Sequence, residues 1–193
     1  MRVFIKLPHI KKTRLKGKYI FKSNRLGFRN WRSEDLEEFA EMNKDIEVME
    51  HFPKPLSKTE SEKLMKRMQI HYGKNGYTYF ATERLDTGEL IGFIGLAYQE
   101  YKTEFTPAID IGWRLKKDTW GRGYATEGAR RCLTLGFNEL GIEKIISTCT
   151  IGNKRSENVM KKIGMIKKGE FNHPELTEFP DFEKCIWYEI ENK

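Results

Sequence analysis

The 193 residues predict a single α/β domain of α+β character, and three observations lead to that fold class. The hydrophobic pattern changes from a helical to a strand-like period after Gly76. A strand ending at Leu115 precedes a glycine-rich turn, a helix and a strand ending at Thr150, so these two strands must run parallel. A helical insert also follows the first strand. We therefore expect one mixed, largely antiparallel sheet flanked by helices.

The first part of the chain combines one strand with helices. The strand is centred on residues 25–29, and the cap and acidic first turn that follow predict a helix over residues 33–43. A short second helical piece is expected over residues 45–50. The spacing of serine and glutamate in residues 57–60 is that of a capping box, which predicts a helix ending at Gly73.

The rest of the chain is predicted to contain six strands and two helices. Residues 85–88 form a turn with glycine at its end, so the first two of these strands make a hairpin. The expected strands cover residues 77–84, 89–98, 108–115, 144–150, 165–171 and 182–190. The expected helices cover residues 125–140 and 153–163.

The most informative stretch is residues 120–127, Trp-Gly-Arg-Gly-Tyr-Ala-Thr-Glu, which leads directly into an amphipathic helix. The first amides of a helix lack internal partners and carry partial positive charge, so they bind phosphate well. Gly121 and Gly123 keep side chains away from these amides, and Arg122 adds a charged donor. The stretch is interpreted as a diphosphate cradle, and an ordinary strand-to-helix turn is the alternative.

Two familiar phosphate-binding loops do not fit this stretch. A P-loop ends in Gly-Lys-Ser/Thr, and a dinucleotide fingerprint needs a third glycine where Thr126 stands. Neither pattern is present, so P-loop nucleotide hydrolysis and Rossmann-type dinucleotide binding are not predicted.

Composition and charge limit the other function classes. No apolar run approaches a membrane span, and no signal peptide is recognisable, so we expect a cytoplasmic protein without membrane contact. The three cysteines, Cys132, Cys149 and Cys185, lack metal-site spacing and are expected to be reduced and interior. No metal is expected.

The net charge of +7 resides in the N-terminal segment. Residues 1–18 carry seven basic residues and no acidic one, so the remaining chain has 28 residues of each sign. We therefore divide the chain into a basic extension, residues 1–18, and one domain, residues 19–193. The extension is interpreted as a solvated tail, with contact to RNA or the ribosome as the alternative.

Three segments, residues 108–115, 120–127 and 153–165, together resemble the GNAT acyl-CoA N-acyltransferases. Within that family they resemble the RimJ/RimL-like branch, which acetylates protein N-termini and other amines. The resemblance covers residues 19–190 and implies the GNAT fold, with about seven strands, about four helices and a splayed parallel central pair. The broad family pattern has Gln or Arg where Trp120 stands, a departure that leaves the backbone amides untouched.

The resemblance implies that acetyl-CoA is the cosubstrate and that its diphosphate binds near the start of the crossover helix. The pantetheine arm would pair with the exposed backbone of the strand ending at Leu115, and a backbone N–H of residues 111–113 would polarise the acetyl carbonyl. The implied coenzyme-binding residues are Trp113, Arg114, Leu115, Gly121, Arg122, Gly123, Tyr124, Ala125, Thr126, Asn153, Ser156 and Lys162.

Two residues are candidates for catalysis. The resemblance implies that Ser156 donates to the leaving sulfur, although a serine or asparagine at a helix start is also an ordinary cap. Asp110 lies under the expected acetyl position and is the candidate general base, with a salt bridge to Arg114 as the alternative. The other candidate bases, which we do not favour, are Glu50, His51, Glu104 and His173.

These features predict an acetyl-CoA-dependent N-acetyltransferase that transfers an acetyl group to a primary amine by direct attack in a ternary complex. The acceptor is a protein N-terminus or a small-molecule amine, and the sequence does not distinguish them. The alternative is a non-catalytic CoA-binding sensor or adaptor that contacts the ribosome or RNA through its basic N-terminus. A homodimer formed through the final hairpin is left open by the resemblance.

Overall fold

A computed structural model describes residues 17–192, which form one eight-stranded sheet with five α-helices. The strands are β1 (Phe21–Lys22), β2 (Leu26–Arg29), β3 (Tyr79–Arg84), β4 (Leu90–Gln99), β5 (Ala108–Leu115), β6 (Lys144–Thr150), β7 (Ile166–Asn172) and β8 (Lys184–Glu191). The helices are α1 (Leu36–Lys44), α2 (Lys58–Asn75), α3 (Tyr124–Thr134), α4 (Lys154–Lys162) and α5 (Pro180–Glu183).

The spatial order of the strands is β1-β2-β3-β4-β5-β6-β8-β7. Every neighbouring pair is antiparallel except β5 and β6, which are parallel. The crossover through α3 therefore joins the parallel pair, as the sequence predicts. The mixed, largely antiparallel sheet is confirmed.

The two faces of the sheet carry separate apolar layers because strand side chains alternate between faces. Ile94 and Leu96 of β4 belong to a core that includes Ala129 and Cys132 of α3. Phe93 belongs to a second core that includes residues of α1 and α2. The helical insert and α3 thus cover opposite faces of the sheet.

A buried ion cluster fixes the start of the helical insert. Arg29 of β2 donates hydrogen bonds to both carboxylate oxygens of Asp35, at 2.6 and 2.7 Å, and contacts Glu83 of β3. The same Asp35 carboxylate accepts the Arg32 backbone N–H at 2.8 Å. The insert is therefore tied to the sheet at the point where it leaves β2.

Five details of the fold differ from the expectation. The first predicted strand is preceded by β1, whose two residues are too few to show a hydrophobic alternation in the sequence. In β1, the Phe21 ring stacks on the Phe28 ring with 4.4 Å between their centroids. Residues 45–50 form turns rather than a helical piece. The helix predicted to end at Gly73 continues to Asn75, because Gly76 provides the left-handed cap at φ 77°.

The fourth difference concerns the crossover helix, in which residues after Thr134 form a π-helical turn, Leu135–Glu139. A Cβ at Gly136 would come within 2.7 Å of the Ile145 Cδ1 atom, so this turn lies close against β6. The short α5 was also not predicted. The predicted basic extension lies mostly outside the described residues, except that Lys18 forms an ion pair with Glu83.

No helix in residues 17–192 has both the length and the apolar character needed to cross a bilayer.

Candidate active site

The parallel strands β5 and β6 separate soon after they meet. Their register contains only Ile109 with Ile145 and Asp110 with Ile146, although β5 continues to Leu115. The Ser147 hydroxyl donates to the Ile111 carbonyl at 2.8 Å, at the point where the strands diverge. Beyond that point the β6-facing backbone of β5 has no strand partner among the described residues. The splayed pair predicted from the resemblance is present.

The glycine-rich turn lies beyond the open end of these strands, at the start of α3. Gly123 is the N-cap residue at φ 79°, and Gly121 has φ 73°, so both adopt the left-handed conformation that favours glycine. A Cβ at Gly121 would meet nothing within 4 Å. No side chain caps the helix start, and its first amides remain available to a ligand.

Arg25, in the turn before β2, braces this helix start from outside. Its Nη1 donates to the Arg122 carbonyl at 3.1 Å, and its Nε donates to Glu127 Oε2 at 2.6 Å. Glu127 also accepts the Arg25 backbone N–H and the Ser23 hydroxyl, which hold the pKa of its carboxyl below the ordinary value against the effect of burial. Glu127, the acidic residue in the first turn of α3, is therefore already hydrogen-bonded to Ser23 and Arg25.

Trp120 takes a structural role at the position where the broad family pattern has Gln or Arg. Its indole N–H donates to the Leu115 carbonyl at 2.9 Å, and the Arg155 guanidinium lies 4.6 Å from its ring centroid. Trp120 thereby ties the end of β5 to the cradle.

The strand gap and the cradle open into one cavity of about 700 Å³. Eleven of the twelve residues predicted to bind the coenzyme line this cavity, together with Asp110. They are Trp113, Arg114, Leu115, Gly121, Gly123, Tyr124, Ala125, Thr126, Asn153, Ser156 and Lys162. Arg122 is exposed and does not line the cavity, because the chain turns its side chain outward while its carbonyl is held by Arg25.

The start of α4 forms another part of the wall. Asn153 is the N-cap residue, and its Oδ1 accepts the Ser156 N–H at 3.0 Å. The Cys149 thiol lies 4.0 Å from the Asn153 carbonyl, and burial raises the pKa of this thiol to about 12. Cys149 is half-buried and lines the cavity, whereas we expected it to be interior. A thiol with that pKa is a poor nucleophile.

Asp110 is buried at the wall of the cavity. The Tyr79 hydroxyl donates to its Oδ2 at 2.5 Å. Burial raises the pKa of Asp110 to about 7, although the Tyr79 hydrogen bond and the nearby Thr148 backbone N–H act in the opposite direction. Gln99 Nε2 donates to the Tyr79 hydroxyl at 3.1 Å. Asp110 can therefore exchange a proton near neutral pH.

The salt bridge between Asp110 and Arg114, our alternative for this carboxylate, is absent from the described structure. Arg114 Nη1 donates instead to the Asn43 Oδ1 of α1 at 2.8 Å. The two side chains share a strand face but stand four residues apart, and each finds a nearer partner on the helical insert or on β3.

The other candidate bases are distributed around the cavity. His51 and His173 line it, and burial lowers the pKa of His173. Glu50 is in contact with Arg155 at 3.3 Å, and Glu104 is exposed and outside the lining. None of these four residues is hydrogen-bonded to Asp110.

Sequence reasoning missed Tyr79, Gln99 and Phe52, which line the cavity on the side of the helical insert. Each comes from a different part of the chain, so no motif spacing could have joined them to Asp110. The expected strand over residues 77–84 could have placed Tyr79 in the sheet, but not beside a particular residue of β5.

The lining fits a coenzyme with a diphosphate and an extended amide arm. Free amides at the start of α3 suit phosphate oxygens, and the unpaired edge of β5 suits the amides of the arm. Within residues 17–192, no three His, Cys, Asp or Glu side chains cluster in a way that could hold a metal ion.

Comparisons with known proteins identify the family and the fold of the chain. Residues 25–166 match the family model described as Acetyltransferase (GNAT) domain. A relative named Uncharacterized N-acetyltransferase YnaD, from Bacillus subtilis (strain 168), is 33% identical over 149 residues, which are 77% of this chain and 84% of the relative.

Two solved structures share the fold. The GNAT-family acetyltransferase from Bacillus anthracis has a TM-score of 0.71 and 27% identity, over 88% of this chain and 96% of that one. Spermidine N-acetyltransferase from Vibrio cholerae, in complex with CoA and spermine, has a TM-score of 0.67 and 19% identity, over 86% and 95%. Enzymes of the family use acetyl-CoA and act on amine acceptors. The chain belongs to the GNAT family of acetyltransferases.

Proposed function

We propose that the protein is an acetyl-CoA-dependent N-acetyltransferase of the RimJ/RimL-like branch. It acetylates a primary amine, on a protein N-terminus or a small molecule, by direct attack in a ternary complex. One observation supports this most strongly: a single cavity joins the free amides of α3, the unpaired edge of β5 and the buried carboxylate of Asp110. The three sequence segments that suggest the branch contribute all of these parts.

The residues around the start of α3 hold the coenzyme in this proposal. The amides from Gly121 to Thr126 bind the diphosphate, and the backbone of Trp113, Arg114 and Leu115 pairs with the arm. The bound coenzyme supplies an activated acetyl thioester. A backbone N–H of residues 111–113 polarises its carbonyl, since the β5 edge is free at that point.

Asp110 receives the proton that the acceptor amine must lose. A carboxyl with a pKa of about 7 is roughly half ionised at neutral pH. The ionised fraction can accept a proton, and the raised pKa makes the carboxylate a stronger base than an ordinary aspartate. An α-amine with a pKa near 8 is already roughly a tenth neutral at pH 7, which makes the demand on this base small. The Tyr79 hydroxyl fixes the orientation of the carboxylate.

Ser156 acts on the leaving group. Its side chain lines the cavity at the start of α4, where its hydroxyl can donate to the sulfur as it leaves. Asn153 positions Ser156 by accepting its backbone N–H. Lys162, which is exposed at the rim, is placed to attract the phosphates of the nucleotide.

The test is release of free thiol from acetyl-CoA in the presence of a panel of amines, with the product identified by mass spectrometry. We expect thiol release to require an amine and to yield the N-acetylated amine. Calorimetric binding of CoA without turnover on any amine would contradict the proposal and favour the sensor or adaptor.

A further inference from the structure

The proposed function gives no role to the side chain of Arg114, a half-buried charged group that lines the cavity. Arg114 extends from β5 on the strand face that also carries Asp110. Its guanidinium lies 4.1 Å from the ring centroid of Phe52 and 5.4 Å from that of Phe93. Tyr79 stacks on the same Phe93 ring at 5.3 Å. Arg114 therefore lies on the same wall as the Tyr79–Asp110 pair.

The hydrogen bonds and charges around Arg114 are incomplete. Its Nε is shielded from solvent and has no hydrogen-bond partner, while Nη1 is bound by the neutral Asn43 amide. Burial lowers the pKa of Arg114 to about 10, because no carboxylate in residues 17–192 offsets the lost hydration.

The acids in the cavity lining do not supply the missing partner. They are Glu47, Asp110 and Glu175, and none of them contacts the Arg114 guanidinium. Glu47 forms an ion pair with Lys117, and Asp110 is bound by Tyr79. Arg114 is half-buried, and a cation that is withdrawn from water without an anion beside it is costly, so a ligand anion at this position would be favoured.

We propose that Arg114 recognises a carboxylate on the acceptor, so that the substrate class is an amine that also carries an acidic group. This inference rests on the proposed function and narrows its acceptor. Nη2 of the planar guanidinium has no hydrogen-bond partner in residues 17–192 and, unlike Nε, is not shielded from solvent, so it is the donor that a ligand carboxylate would meet. The Phe52 and Phe93 rings hold that guanidinium in place.

The strand geometry limits the shape of such an acceptor. Asp110 and Arg114 are four residues apart on β5, which is about 13 Å between their Cα atoms at roughly 3.3 Å per residue. The amine is deprotonated at one position and the carboxylate is bound at the other. The two side chains extend from these Cα positions, so the spacing admits both a free α-amino acid and a short peptide, and the length of the acceptor is a variable of the test.

Polyamines are disfavoured by the same reasoning. They carry only cationic groups, which would leave Arg114 unpaired and add a like charge to the cavity. The Vibrio cholerae neighbour contains spermine, and this acceptor class is expected to bind poorly here.

The experiment measures binding to the CoA-loaded protein by calorimetry, so it does not depend on turnover. The probes are matched pairs of peptides with one, two or three residues, each with a free C-terminal carboxylate or a C-terminal amide. We expect the carboxylate form of at least one length to bind about 10- to 100-fold more tightly than its amide. The length with the largest ratio reports the span between the two sites.

Two variants assign this selectivity to the side chain. Arg114→Gln is expected to reduce the carboxylate-to-amide ratio to near one, and Arg114→Lys to restore part of it, because lysine keeps the charge without the planar fork. The same titrations with CoA alone show whether Arg114 serves the coenzyme.

Equal binding of carboxylate and amide peptides by the unaltered protein would overturn the inference. So would an Arg114→Gln variant that keeps the selectivity or weakens CoA binding instead. Acetylation of amines without such selectivity would refute the role of Arg114 and leave the proposed function intact. Selective binding of carboxylate peptides without any turnover would support the role of Arg114 and contradict the proposed function.

Discussion

The two ends of the cavity present different chemistry. At the end formed by the start of α3, which we propose binds the coenzyme and name the coenzyme end, the groups offered to a ligand are mostly backbone amides of one continuous stretch. The side chains of Arg25 and Trp120 brace this turn from outside. At the other end, the groups are side chains of Tyr79, Asp110 and Arg114, drawn from two strands and completed by the helical insert.

This difference bears on what each end can tolerate. Backbone amides survive most side-chain changes, so the coenzyme end depends on conformation and on open space at a few glycines. The acceptor end depends on the identity of each side chain, and a single substitution can alter its charge. We therefore expect few but severe coenzyme-binding variants, and many variants that change the acceptor or the rate.

The largest effect is expected for Gly123→Glu, which places a carboxylate where the diphosphate is proposed to bind. Thiol release should fall more than about 100-fold, because like charges repel and the new side chain covers the amides. The matched control is Gly141→Glu, since Gly141 also has a positive φ, at 66°, and open space around its Cβ position.

Both glutamate variants should lose a similar amount of stability, about 1–2 kcal/mol, from the left-handed backbone alone. Denaturant unfolding measures that loss. Normal turnover by Gly123→Glu would place the coenzyme elsewhere.

The next largest effect is expected for Asp110→Asn, with a loss of about 100-fold in kcat/KM near pH 8. The ratio of the original rate to the variant rate should rise with pH and level off above about 7, where Asp110 is ionised. Titration of the amine cancels in this ratio. A ratio that does not change with pH would exclude Asp110 as the base.

The Asp110→Asn variant, which should lose activity, should gain stability at alkaline pH. The Asp110 carboxyl has a raised pKa in the folded protein, so its contribution to stability is present at low pH and lost as the pH rises towards 7. Asp110→Asn removes this loss, and the variant should be more stable than the original protein by roughly 1–3 kcal/mol above pH 8. Urea unfolding at pH 5 and pH 8.5 measures the difference.

A smaller effect is expected for Tyr79→Phe, roughly tenfold in kcat, because the carboxylate loses the donor that orients it. The rising limb of the pH profile should move to higher pH, since the Tyr79 hydrogen bond lowers the Asp110 pKa. Tyr77→Phe is the control, because the buried Tyr77 hydroxyl has no partner and its removal should leave the profile unchanged. Equal shifts in both variants would indicate a general packing effect.

The smallest effect is expected at the start of α4, where the two ends of the cavity meet. Ser156→Ala should lower kcat by roughly 3- to 10-fold with little change in stability, since a thiolate is already a good leaving group. Asn153→Ala should lower the unfolding free energy by about 1 kcal/mol, because it removes the helix cap. If Ser156→Ala affected stability alone, its role would be structural.

The same contrast explains how far the sequence could predict the site. The residues predicted for the coenzyme end come together in one cavity, because glycine spacing, a helix start and a strand order are local patterns. The exception, Arg122, depends on a brace from Arg25, 97 residues earlier in the chain.

The acceptor end could not be predicted in the same way. The Tyr79–Asp110 contact spans 31 residues and the Arg114–Asn43 contact spans 71, so only the folded sheet brings these groups together. Alternation along β5 correctly grouped Asp110 with Arg114 on one face. It could not reveal which partner each side chain would find across that face.

Within the fold, the misses concern short segments. The strand β1 has two residues, too few to show a period, and it exists because Phe21 packs on Phe28 and β2 offers an edge. The turns at residues 45–50 are closed by local hydrogen bonds to the side chain and carbonyl of Asp45, and the π-helical turn after Thr134 lies close against β6. Local sequence propensity predicted the long helices and strands. It was a weak guide where contacts with distant residues determine the conformation.

The division of the cavity is tested most directly by titrating CoA into the Gly123→Glu and Asp110→Asn variants side by side. We predict that Gly123→Glu loses more than about 100-fold in CoA affinity, while Asp110→Asn binds CoA within about threefold of the original protein and yet fails in turnover. Equal loss of CoA affinity in both variants, or normal affinity in Gly123→Glu, would contradict the account.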